Sequence, residues 1–155
     1  MIRETSQSDQ SALLQIVKSS GQFDADGVAH VEATLTAHLQ NGSQAIWLTA
    51  DDGEPIGVSY CVPEPVTSGT WNLQMLWTRK DRKSQGFGAA LVAENEVRLR
   101  QLGARLLIVE TSSLPDFATA RAFYAKCGFV HEATIKDYFT TGDNKLIFTK
   151  ALVKG

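Results

Sequence analysis

The chain has 155 residues, 43% hydrophobic and 21% charged, an ordinary balance for a globular domain large enough to bury its own core. A net charge of −2 lacks the basic excess that nucleic-acid or membrane-surface binding needs. No apolar run approaches the roughly 20 residues required to span a bilayer.

By length this reads as one domain over residues 1–155. The opening Met1-Ile2-Arg3-Glu4-Thr5 carries no apolar signal region, so a cytoplasmic location is expected. Met1 to Thr5 suits a short first strand. Ser8 or Asp9 then caps a helix carrying Leu13, Leu14, Ile16 and Val17, which Gly21 closes. A second helix runs from about Asp26 to Leu39 and stops at Asn41-Gly42. Strands follow: Ala45 to Thr49, the hairpin signal Asp51-Asp52-Gly53, then Ile56 to Val62. Thr70 to Thr78 completes a meander. Cys61 and Cys127 have neither metal nor redox spacing and read as two buried thiols in preference to a disulfide, which the sequence leaves open.

The most informative stretch is Lys83-Ser84-Gln85-Gly86-Phe87-Gly88, between the strand ending at Thr78 and a helix ending near Leu102. A glycine-rich turn at a helix N-terminus bares backbone N–H groups at the positive end of the dipole, a setting suited to phosphate. At 100° per residue, Gly88, Leu91, Val92, Asn95, Leu99 and Leu102 share the inward stripe of that helix. Asn95 in mid-stripe is expected to be a buried amide with a backbone partner. Glu94, Glu96, Arg98 and Arg100 fall outside the stripe.

Gly103 ends this helix, and Arg105 to Thr111 is a continuous apolar strand of the kind buried on both faces. The strand, helix, strand order predicts a parallel pair through a right-handed crossover. A helix from about Asp116 to Cys127 follows, with Phe117, Ala120, Phe123, Tyr124 and Cys127 on one face. Two strands close the chain, Phe129 to Ile135 and Leu146 to Leu152, joined by the segment from Asp137 to Asn144. The fold class is α/β, with a mixed, mostly antiparallel sheet and about four helices.

Gly-x-Gly alone is weak evidence, and neither the P-loop nor the dinucleotide fingerprint is met. Its position after a meander, with Ala120-Arg121-Ala122-Phe123-Tyr124-Ala125-Lys126-Cys127-Gly128-Phe129 some 40 residues later, is far more specific. On these two motifs the chain resembles the GNAT superfamily of acetyl-CoA-dependent N-acetyltransferases over about residues 1–152. Lys83 stands where the family turn has Gln or Arg, keeping the charge but losing the planar fork. Phe117 stands where many members place a cofactor-contacting Asn.

The resemblance implies acetyl transfer from acetyl-CoA to a primary amine of a small molecule or peptide, by direct attack. It implies a splayed parallel strand pair that takes the pantetheine arm against Leu76, Trp77 and Thr78. Backbone N–H groups of Lys83, Ser84, Gln85, Gly86, Phe87 and Gly88 then hold the pyrophosphate, and Tyr124 protonates the departing thiolate. No glutamate occupies the start of the splayed strand, which carries Asn72 and Gln74, so Glu110 is the candidate base. Relatives build the acceptor pocket from the first two helices and their loop, which brings in Phe23 and His30, with Tyr138 added. Trp77 is expected to pack and to narrow the cleft. No metal role is expected for His30 and His38, which are read as surface residues. A homodimer through strand or helix edges, a non-catalytic acyl-CoA-binding module and a longer acyl donor remain open at this point.

Overall fold

The computed structural model describes residues 1–152. Its elements run β1 (Ile2–Glu4), α1 (Gln10–Ser19), α2 (Ala25–Asn41), β2 (Ile46–Asp51), β3 (Pro55–Pro63), β4 (Thr70–Thr78), α3 (Phe87–Gln101), β5 (Leu106–Ser112), α4 (Ala118–Lys126), β6 (Val130–Thr140) and β7 (Asp143–Ala151). Hydrogen bonds order the strands β1-β2-β3-β4-β5-β7-β6. β4 and β5 are parallel, registered at Thr70↔Leu106, Trp71↔Leu107 and Asn72↔Ile108. β1–β2, β2–β3, β5–β7 and β6–β7 are antiparallel. The mixed α/β sheet with one parallel step is the one the sequence leads to. Contacts gather the residues into two compact units: Met1–Val62 with Met75–Asn95, and Pro63–Gln74 with Glu96–Gly155.

In the first unit, Leu13, Ile16 and Val17 recur at helical spacing and turn one face of α1 inward. They cluster with Val31 and Leu35 of α2 and with Trp47, Val58 and Met75 of the strands. Each such side chain contributes about 1.5–3 kcal/mol by leaving water. Asp9 is the N-cap residue of α1, and Asp24 caps α2 by accepting from the Gly27 amide at 2.7 Å. Asp9 is buried, and Arg3 neutralises it with hydrogen bonds of 2.7 and 2.9 Å. The Arg3 guanidinium holds the Asp9 carboxyl below its ordinary range. Asn95 is fully buried, its Nδ2 donating to the Leu91 carbonyl and the Ser59 hydroxyl, which is the backbone partner its helical phase calls for.

Gly57 of β3 marks a close approach that the sequence pattern does not announce. A Cβ there would sit 3.2 Å from the Ala50 Cβ, 3.3 Å from the Trp77 carbonyl oxygen and 3.4 Å from Leu91 Cδ1. The carbonyl is backbone and yields little. Gly57→Ala is therefore expected to cost about 1–3 kcal/mol by overpacking, read as a lower midpoint in urea unfolding. An unchanged midpoint would mean that β2, β4 and α3 give way freely.

In the second unit, β5 alternates buried Leu107 and Val109 with half-buried Leu106, Ile108 and Glu110. It is therefore not covered equally on both faces, as its apolar run suggested. Glu96 lies outside the apolar stripe of α3 yet is only 6% exposed, because Lys150 and Arg100 reach its carboxylate at 3.0 and 3.3 Å. Leu102 fails in the opposite sense. At 63% exposed it sits beyond the last residue of α3, where helical phase no longer applies.

The final hairpin is longer than the sequence implied, since the segment from Asp137 to Asn144 is mostly strand. Asp137, at φ 55, absorbs a bulge between Ile135 and Thr140. Its amide donates to Asn144 Oδ1, and its carboxylate accepts from the Gly142 amide. Of the two free thiols, Cys61 is buried and Cys127 only half-buried, where burial of both was expected. Burial pushes the Cys61 thiol up to about 12.

Candidate functional site

The glycine turn lies in the first unit, and arginines lash it in place. After β4 comes a short 3-10 turn, Lys80–Arg82. Arg79 on its near side binds Asp81 and Glu54 at 2.6 Å each. Arg82 pairs with Asp52 in the β2–β3 hairpin, donates to Gln85 Oε1 at 3.0 Å, and lies 5.3 Å over the Phe87 ring. These guanidinium groups hold the Asp52 and Asp81 carboxyls below their usual range.

Ser84 at φ 63 and Gly86 at φ 89 are both left-handed. The Gly86 carbonyl accepts from the Ala90 amide at 3.0 Å, so Gly86 caps α3. The amides of Phe87, Gly88 and Ala89 then have no acceptor within the helix. Lys83, Ser84, Gln85 and Gly86 are exposed, and beyond the adjoining residues no atom lies within 4 Å of where a Gly86 Cβ would stand. The turn thus presents bare donors to open space at the positive end of a helix of 15 residues.

Leu76, Trp77 and Thr78 end β4, all half-buried. Trp77 meets Phe23, from the α1–α2 loop, edge to face at 5.7 Å. Its indole N–H is buried without an acceptor among the described residues. His30 is exposed on α2, and His38 bonds Ser43 at 2.6 Å. Among the described residues no cluster of His, Cys, Asp or Glu could hold a metal ion, and no helix is long and apolar enough to cross a membrane.

The second unit carries the remaining candidates. Phe117 closes the 3-10 turn Pro115–Phe117 and precedes α4, where the sequence had placed it inside the helix. Tyr124 on α4 packs against Phe123, Phe129 and Phe148, with ring centroids 5.4, 5.7 and 6.5 Å away. Burial, and to a lesser degree Cys127, pushes its phenol up to about 12.

Glu110 on β5 is engaged at both carboxylate oxygens. Oε1 accepts from Asn72 Nδ2 at 2.8 Å, and Oε2 pairs with Lys145 of β7. Asn72 Nδ2 also donates to Glu64 Oε1 at 2.9 Å. The Lys145 ammonium lies 4.2 Å from the centroid of the Tyr138 ring on β6. Sequence reasoning reached Glu110 and Tyr138, gave Lys145 no role, and missed Glu64 and the bridge between the carboxylates. Asn72 had stood out only for not being a glutamate.

The sequence profile of the Acetyltransferase (GNAT) family matches residues 13–129. Among curated proteins none matches. Among solved structures, a protein assigned to the GNAT family of acetyltransferases from Desulfovibrio desulfuricans is 29% identical, with TM-score 0.93 over 99% of each chain. An aminoglycoside 6'-N-acetyltransferase complexed with coenzyme A is 15% identical, with TM-score 0.84 over 100% of this chain and 98% of that one. The ribosomal-protein-S18-alanine N-acetyltransferase of Escherichia coli is 19% identical, with TM-score 0.79 over 100% of this chain and 95% of that one. At such identities the last two share the fold.

Proposed function

Because the chain belongs to the GNAT acetyltransferase family, we propose that it moves an acetyl group from acetyl-CoA to a primary amine on a small molecule or peptide. The matched residues 13–129 draw on both compact units, which supports reading 1–155 as one acetyltransferase domain. The observation that carries the donor is the turn from Lys83 to Gly88, with its left-handed Gly86, its open surroundings and the helix-terminal amides that lack partners within the helix. The neighbours named as N-acetyltransferases, one with coenzyme A bound, support the amine and the donor.

Acetyl-CoA supplies an activated thioester. The backbone amides of the turn hold its diphosphate, with Lys83 adding a point charge in place of a planar fork. Backbone groups of Leu76, Trp77 and Thr78 would hold the pantetheine arm, and a backbone N–H of that strand would stabilise the charge that builds on the thioester oxygen. Phe117 contributes bulk, since its side chain cannot hydrogen-bond. Fixing both reactants supplies as much as about 7–11 kcal/mol of the barrier, so positioning outweighs any one side chain. Tyr124 donates its phenolic proton to the departing thiolate. Glu110 accepts the amine's proton through water, both of its oxygens being engaged.

Isothermal calorimetry with acetyl-CoA, followed by a thiol-release assay over a panel of amines, tests this reading. Acetyl-CoA uptake with amine-dependent CoA release is expected. Binding with no amine-stimulated release would replace the transferase with an acyl-CoA-binding module, and stronger competition by longer thioesters would change the acyl group.

A further inference from the structure

We propose that Asn72 is a positioning residue for acetyl transfer, its carboxamide holding Glu110 ionised and aimed by donating one hydrogen to Glu110 and the other to Glu64. This rests on the reading of Glu110 as proton acceptor. Asn72 is 5% exposed on β4, in the last registered pair of the parallel ladder, opposite Ile108. Glu110 is two residues beyond Ile108, so strand alternation returns it to the same face. Glu64 arrives from the segment after β3, fixed by its own amide donating to the Thr70 carbonyl at 2.8 Å.

An asparagine amide has two donor hydrogens on nitrogen and only acceptor sites on oxygen. With Nδ2 at 2.9 Å from Glu64 and 2.8 Å from Glu110, both hydrogens are committed to carboxylates. The flipped amide would set its oxygen against two carboxylate oxygens, so the network itself fixes the orientation. Donors aimed this way favour the ionised carboxylate over the neutral acid. Among the described residues the charged groups linked to Glu110 are Glu64, from the segment after β3 and bridged through Asn72, and Lys145 from β7, the latter resting on the Tyr138 ring of β6. Glu64, Glu110 and Lys145 sum to one net negative charge, which draws an ammonium toward the carboxylates. Without the Asn72 donors the two carboxylates lose the group that bridges them. Glu110 then either takes a proton or swings wholly to Lys145, and each outcome weakens it as a base.

The test places Asn72→Leu and Asn72→Ser in the parent chain and in a Glu110→Gln background, with melting curves on every variant. From amine-dependent thiol release, Asn72→Leu is expected to lower kcat roughly tenfold or more while KM for acetyl-CoA stays within about twofold. The acid limb of the kcat profile should move to higher pH, because a base that has lost donors to its charged form protonates sooner. Asn72→Ser keeps one donor and should fall between, which also covers the case of a Leu variant that folds poorly. In the Glu110→Gln background neither change should cost more. Equal fractional losses in both backgrounds, or an unmoved acid limb, would overturn the assignment while leaving Glu110 as base. Parent-like kinetics in Glu110→Gln alone would overturn the Glu110 reading and the role of Asn72 with it.

Discussion

Replacing Tyr124 with phenylalanine is expected to lower kcat by about a hundredfold or more and to leave acetyl-CoA affinity within about twofold. The ring contacts with Phe123, Phe129 and Phe148 survive the change, so packing is preserved and only the hydroxyl is lost. A thiolate leaving without a proton donor must be expelled as the free anion, and that burden falls on the transition state rather than on binding. The pH dependence adds a second check. With the phenol pushed up to about 12, Tyr124 stays protonated across the neutral and mildly alkaline range. A loss of activity between about pH 8 and 10 would therefore belong to another group. The stability linkage runs in the same direction. The folded value lies above the ordinary 10, so the contribution of the neutral phenol is complete below about pH 10. It is lost as pH rises through 12, and Tyr124→Phe should remove that alkaline loss. Parent-like turnover in the variant would return Tyr124 to the status of a packing residue.

What the sequence could reveal depended on how local each signal was. Gly21, Gly42, Gly53, Gly103 and Gly128 all take positive φ where a helix or hairpin was expected to turn, because a glycine stop needs only its own backbone. β4 spans Thr70–Thr78 as its apolar run suggested. The length of β6 was hidden because Asp137 and Gly142 look like loop residues. The bond from the Gly142 amide to the Asp137 carboxylate, which lets the strands continue past them, joins positions five apart. Glu96 was placed outside the stripe by helical phase and inside by Lys150, a partner 54 residues away. The candidate site divides in the same way. The glycine turn and the Tyr124 motif are contiguous and could be read directly. The bridge from Asn72 to Glu110 crosses 38 residues, and no periodicity links them. Composition along a strand says which face a side chain takes, but not which carboxylate from another strand will meet it.

Gly86→Val should weaken acetyl-CoA binding by about a hundredfold. Gly86 sits at φ 89, a region that a β-branched residue enters only at a cost of about 1–2 kcal/mol or more. The chain then either keeps the strain or rotates away from it. Rotation breaks the cap in which the Gly86 carbonyl receives the Ala90 amide at 3.0 Å, and swings the amides of Phe87 and Gly88 off their common direction. Hydrogen bonds to a charged group contribute about 1.5–3 kcal/mol each, so even at the lower end losing two from a diphosphate amounts to roughly a hundredfold in Kd. Gly42→Val supplies the matched control. Gly42 also has positive φ, at 74, with no atom beyond the adjoining residues within 4 Å of a Cβ, so it carries similar strain at the end of α2. Calorimetry should find acetyl-CoA affinity lost in the Gly86 variant and kept within about twofold in the Gly42 variant, although both melt below the parent. Equal weakening in the two would trace the effect to general loosening. Undiminished binding by Gly86→Val would mean that the diphosphate is held by something other than these amides.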